Sequence, residues 1–106
     1  MIEEDDVFKA LDFLRDNAPF AAKARAEREY VESYARVLKS QIMRENQGES
    51  IGAQEARAYS DPRYIKHLEA IRAAVEADEK IRFMLSAAET KIQAWRTFSS
   101  NNRPRV

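Results

Sequence analysis

No cysteine occurs among the 106 residues, and there are only two glycines, three prolines and one histidine. Without cysteine the chain has no disulfide scaffold, no zinc–thiolate site and no thiol nucleophile. Two glycines cannot build a glycine-rich phosphate loop, and one histidine among scattered serines does not make a Ser-His-Asp set. No run nears the roughly 20 apolar residues that span a bilayer. The opening residues, Glu3, Glu4, Asp5 and Asp6, are acidic and do not read as a signal or transit peptide. Net charge is missing as well: 18 Lys and Arg balance 18 Asp and Glu. The simplest argument for nucleic acid, a bulk basic balance, is therefore absent. At this length one domain with a modest core is expected, over residues 1–98, followed by a flexible polar and basic tail over 99–106.

What is present favours helix throughout. The breakers sit at Pro19, Gly48, Gly52, Pro62 and Pro104, and between them lie stretches rich in Ala, Glu, Arg, Lys and Leu. Strand-like alternation is absent, so the fold class is all-α. A short first helix is expected over about 6–16, with Val7, Ala10, Leu11 and Leu14 at helical spacing and Phe8 and Phe13 beside them. Asp5 or Asp6 caps its start, and Asn17-Ala18-Pro19 ends or bends it. A second helix is expected over about 19–46. There Ala24, Val31, Ala35, Leu38 and Ile42 follow a three/four spacing in which Arg28 is the exception, with Tyr30, Tyr34 and Val37 alongside.

Residues 46–52, Asn-Gln-Gly-Glu-Ser-Ile-Gly, read as a loop, with a brief helical turn over 53–59. Ser60-Asp61-Pro62 then gives a cap with proline at the first helical position. The last helix, over about 62–99, carries Leu68, Ile71, Val75, Ile81, Leu85, Ala88, Ile92 and Trp95. Asp78 lies inside that stripe, whose spacing slips there. A helix of this length reaches about 57 Å, beyond a compact globule of this size. The expectation is an elongated antiparallel helical hairpin of coiled-coil type, made a homodimer to cover its apolar surface.

Candidate chemistry is sparse. His67 stands alone, and the ferritin-type di-iron motif would need glutamate where Tyr64 stands, so a surface or capping role is the ordinary reading. Glu29 with Glu32, and Glu76 with Glu79, have one-turn spacing and could hold magnesium for a nucleotide hydrolase. Arg25, Arg28, Lys80 and Arg82 beside them suggest plain helix-surface pairing instead. No catalytic residue, metal or cofactor is expected. Trp95 and Phe98 read as core anchors, and the cations around them, Lys91, Arg96, Arg103 and Arg105, as a nucleic-acid or partner contact set. Tyr30, Tyr34, Tyr59 and Tyr64 read as packing residues rather than a stacking platform. Tyr30, Tyr34, Ile71, Val75 and Asp78 form a candidate oligomer seam, with Asp78 a register device or polar contact.

Charge is divided along the chain. Residues 1–16 carry six acids and two bases, a net of −4, and residues 82–106 carry five bases and one acid, a net of +4. The first helix, through Phe8, Leu11 and Leu14, is expected to cover the end with Ile92, Trp95 and Phe98, so the acidic end lies over the basic one.

Leu11-Asp12-Phe13-Leu14-Arg15-Asp16-Asn17-Ala18-Pro19 and Ala26-Glu27-Arg28-Glu29-Tyr30-Val31-Glu32 resemble the opening of a family of small, tailed-phage and prophage early-region helical proteins. Ala53-Gln54-Glu55-Ala56-Arg57-Ala58-Tyr59, Ala74-Val75-Glu76 and Ala94-Trp95-Arg96-Thr97 continue the likeness. The resemblance implies a non-enzymatic accessory role near phage DNA replication or recombination, in the bacterial cytoplasm, through a protein partner or DNA. It supplies no functional residues. A host-directed inhibitor of a bacterial enzyme or defence complex, and the magnesium-dependent hydrolase, are the alternatives.

Overall fold

The computed structural model describes residues 2–102. It is all-helical, with no strand among the described residues: α1 (Glu4–Glu45), α2 (Ile51–Ser60) and α3 (Pro62–Asn101). Arg103 and Arg105 lie outside the described residues.

The start of α1 is closed from within. Asp6 reaches back to accept from the Glu3 backbone N–H at 2.9 Å, half of a capping box, while Glu4, Asp5 and Asp6 suit the positive end of the helix dipole. The helix does not stop at Asn17-Ala18-Pro19 as the sequence suggested; it runs through Pro19. Proline there removes one hydrogen bond and leaves the Arg15 carbonyl without its usual donor. Both Arg15 and Pro19 are exposed, so water can take the donor's place, and the inward positions Leu14, Asn17 and Ala21 stay in helical phase across the proline. Asn17 turns its amide back onto the Phe13 carbonyl at 2.9 Å, a bond within the helix rather than an exit from it. One helix therefore replaces the two expected.

The connection to α2 is shorter than expected. Ser50 is the N-cap, its hydroxyl accepting from the Ala53 N–H at 3.2 Å, so Ile51 and Gly52 belong to the first turn of α2 rather than to the loop. Asp61 then serves two helices. Its N–H donates to the Ala58 carbonyl at the end of α2, and its carboxylate accepts from the Arg63 N–H at 2.8 Å, capping α3 ahead of Pro62 as expected. At the far end α3 continues to Asn101, so residues 99–101, expected in the tail, are helical.

Burial sharpens the stripe on each long helix. On α1 it falls at 7, 10, 14, 17, 21, 24, 28, 31, 35, 38 and 42, and on α3 at 64, 67, 71, 74, 78, 81, 85, 88, 92, 95 and 99. Both series alternate three and four without interruption, the spacing of a coiled-coil seam. Arg28 is a regular member, not an exception, and no slip occurs at Asp78. The inward residues are His67 and Ala74 rather than Leu68 and Val75, and Leu68 is 46% exposed. Alanine at a seam position lets helices approach closely but marks the seam less strongly than leucine does, being less hydrophobic.

The chain divides into two compact units: Met1–Lys23 with Glu79–Val106, and Ala24–Asp78. In the first, Val7, Ala10 and Ala88 are buried, with Leu14, Ile81, Leu85, Ile92 and Trp95 half-buried. Glu3, Glu4, Asp5 and Asp6 thus share a unit with Arg82, Lys91 and Arg96. Val7, Ala10 and Leu14 face inward there, whereas Phe8 and Leu11, expected to do the covering, are exposed. In the second, Ala58 of α2 is fully buried against Leu38 and Ile42, with Met43 and Tyr64 packed around them.

Candidate interaction surface

The second unit holds most of the polar organisation. Asp78 is the buried polar residue among those described, 3% exposed. Arg28 Nη1 donates to it at 3.2 Å, and the same guanidinium donates through Nε to Glu32 at 2.8 Å. Arg28 and Asp78 occupy matching places in the two inward series, so each supplies what the other needs away from water. Asp78 is therefore engaged within its own chain. Ile71 and Val75, from the same candidate set, are half-buried, and Tyr30 and Tyr34 are the members left at the surface.

His67 is also structural. Its Nε2 stands 2.6 Å from the Val31 carbonyl oxygen. A carbonyl can only accept, so Nε2 carries the proton and donates. The ring packs at 5.4 Å from that of Tyr34, which in turn stacks on Tyr30 at 6.2 Å with 20° between the planes. Tyr59 meets Tyr64 edge-on at 5.4 Å, and the Lys39 ammonium sits 4.8 Å from the centre of the Tyr59 ring. Contact with Tyr59, and the charge of Glu55, hold the Lys39 pKa above its ordinary value.

At the junction of α2 and α3, Arg63 makes a bidentate pair with Glu45, at 3.0 and 2.6 Å, and also grips Asp61. Hydrogen bonds from Arg63 push the pKa values of both Glu45 and Asp61 down, while the two carboxylates push that of Arg63 up. Nothing in the spacing of residues 45, 61 and 63 announces this cluster; it exists because the chain reverses between them.

The acidic pairs do not assemble a site. Glu29 bonds Arg25, Glu32 bonds Arg28 and Glu79 pairs with Arg82, each within about one turn. Among the described residues no group of three His, Cys, Asp or Glu side chains is placed to hold a metal ion. Likewise, no helix among them is long and apolar enough to cross a membrane.

Of the C-terminal contact set, Lys91 lines an open groove of about 370 Å³ in the first unit, with Lys9, Ala10, Phe13, Met84, Ala87 and Ala88. Arg96 is exposed on α3. Trp95 is half-buried on the inward series, whereas Phe98 is 42% exposed and is not a core anchor. Large apolar side chains lie open on both units: Phe8, Phe20 and Phe83 in the first, Tyr30, Val37 and Ile65 in the second. The chain matches no protein-family model, no curated protein and no solved structure.

Proposed function

We propose that this chain is a non-enzymatic phage or prophage accessory protein that works by binding, in phage DNA replication or recombination, in the cytoplasm of a bacterial host. The observation that carries the binding part is the contrast between its surface and its polar groups. Asp78, Glu45, Asp61 and the histidine are tied up in structural pairs, while phenylalanines as exposed as Phe83, at 71%, stand on the helices. Exposed aromatic rings on rigid helices are the raw material of an interface. The phage context rests on the sequence resemblance alone.

The scaffold in this reading is an antiparallel helical hairpin used as a homodimer. Contact order in the second unit supports the hairpin: Glu45 meets Arg63, Tyr34 meets His67 and Arg28 meets Asp78. Partners fall along α1 as they rise along α3. The exposed phenylalanines support self-association.

Affinity capture from host and phage lysates, with and without nuclease, tests the function, alongside a mobility shift of labelled DNA at low salt. A shift that weakens with salt, or a stoichiometric phage replication or recombination protein, is the expected result. A stoichiometric host enzyme or defence protein retained after nuclease would favour the inhibitor reading. Nucleotide turnover abolished by Glu76→Gln would replace both with the hydrolase.

A further inference from the structure

We infer that the groove between α1 and α3 in the first unit is the face on which a second copy of this chain docks, each copy laying its α1 on the other's α3. This rests on the antiparallel hairpin and homodimer proposed above, and adds to them the face, the orientation and the pairs that hold it. Surface area gives the first support. The chain leaves 8243 Å² accessible to solvent, where a folded monomer of 12.3 kDa leaves about 6,100 Å². The excess, about 2,100 Å², lies within the roughly 1,000–2,500 Å² that each partner gives to an obligate dimer.

The groove has two walls. Lys9 and Phe13 of α1 edge one side, and Met84, Ala87 and Lys91 of α3 the other. Each wall is the row of residues that immediately precede the inward positions of its helix. On α1 the row is Asp6, Lys9, Phe13, Asp16 and Phe20; on α3 it is Lys80, Met84, Ala87, Lys91, Ala94 and Phe98. Spacings of three and four keep each row on one side of its helix. Phe20, Met84 and Phe98 are 64%, 45% and 42% exposed, so apolar surface runs along both walls. The alanines between them let another helix come close.

Charge selects the occupant. The α3 row holds two lysines and no acid, whereas the α1 row holds two acids. Neither Lys80 nor Lys91 makes an ion pair among the described residues. Asp16 is held by Arg15 of its own helix, an exposed pair that is exchanged at little cost. Laid antiparallel, the α1 row of one copy matches the α3 row of the other. Asp6 faces Lys91, Phe13 faces Met84, Asp16 faces Lys80, and the stem of Lys9 lies over Ala87. One register gives all four, because Asp6 and Phe13 are seven residues apart, as are Met84 and Lys91, and Lys9 and Asp16 are seven apart, as are Lys80 and Ala87. A two-fold axis along the groove makes every pair twice. The other two-fold, which sets α3 on α3, brings lysines against a row without acids and is disfavoured by like charge.

The test is sedimentation equilibrium of the full chain at micromolar concentration, for wild type, Asp16→Lys, Lys80→Glu and an equal mixture of these two variants. Wild type is expected to be a dimer. Each variant alone sets like charges across the interface twice and should weaken the dimer about tenfold or more. Mixing should restore it, since in the mixed dimer both facing pairs are again of opposite sign. A pair made within one chain could not be restored by mixing. Met84→Glu, at an exposed position, should also dissociate the dimer, with circular dichroism showing the helices intact.

A dimer that persists in all three variants would overturn this inference and leave the homodimer standing on another face. Weakened variants that do not recover on mixing would overturn it too, because α1 would not then lie on the partner's α3. A monomeric wild type would overturn it together with the homodimer.

Discussion

Asp78 shows what one residue contributes when its surroundings are fixed. Its side chain is 4% exposed while that of Arg28 is 28% exposed, so the two partners do not share the cost of separation equally. Arg28→Ala leaves a carboxylate away from water without its guanidinium, which costs about 3–5 kcal/mol. Asp78→Ala costs less, because Arg28 still reaches solvent and Glu32. Urea unfolding of the two variants checks the order, and equal losses would remove the asymmetry. Replacing both by leucine should be neutral or stabilising, since packed apolar residues commonly match a buried ion pair.

Arg63 supplies the pH dependence at the same scale. In the folded chain Glu45 and Asp61 have pKa values below their ordinary 4.5 and 3.8. A depressed carboxylate pKa adds stability that is present above the ordinary value and is lost as pH falls through the folded one. The wild type is therefore expected to lose melting temperature below about pH 4.5 more steeply than Arg63→Ala. The gap between them should be widest near neutrality and close in acid. Parallel melting curves from neutral to acid would show that the cluster adds nothing, as exposed pairs often do.

At the scale of the element, Pro19 is the informative position. Read locally, Asn-Ala-Pro is a helix stop, because proline blocks a hydrogen bond and constrains the residue before it. In α1 those local costs are outweighed by the seam positions on either side, which remain in phase. Pro19→Ala restores the missing N–H and should raise stability by about 2 kcal/mol, the gain in helix propensity less the entropy that proline removes from the unfolded chain. Thermal melting reads this directly. A lower melting temperature would mean that the ring itself packs in the folded chain. The Ser50 cap, by contrast, follows from sequence rules, since Ser50 precedes a helical run, although Gly52 favours a longer loop.

For the whole molecule the question is what covers its aromatic surface. Phe8, Phe20 and Phe83 are 57%, 64% and 71% exposed. If the chain self-associates as proposed, sedimentation at micromolar concentration gives twice the 12.3 kDa chain mass. Phe20→Ser with Phe83→Ser should then return it to the monomer without loss of helicity. A monomeric wild type would leave these rings for a different partner and remove the dimer.

Much of this was legible in the residues, and the remainder divides along a physical line. Helical class and the start of α3 at Pro62 depend on neighbours within about a turn, and the sequence alone settles them. The inward register was half legible: leucines and isoleucines mark it, but His67, Ala74, Arg28 and Asp78 belong to it through packing rather than hydrophobicity. Helix continuity through Pro19, the Arg28–Asp78 pair, the His67 bond to Val31 and the Arg63 cluster were decided by tertiary structure. Each joins groups that the sequence keeps apart, or weighs a local cost against burial gained at a distance. Local rules state that cost, and only the folded arrangement supplies what offsets it.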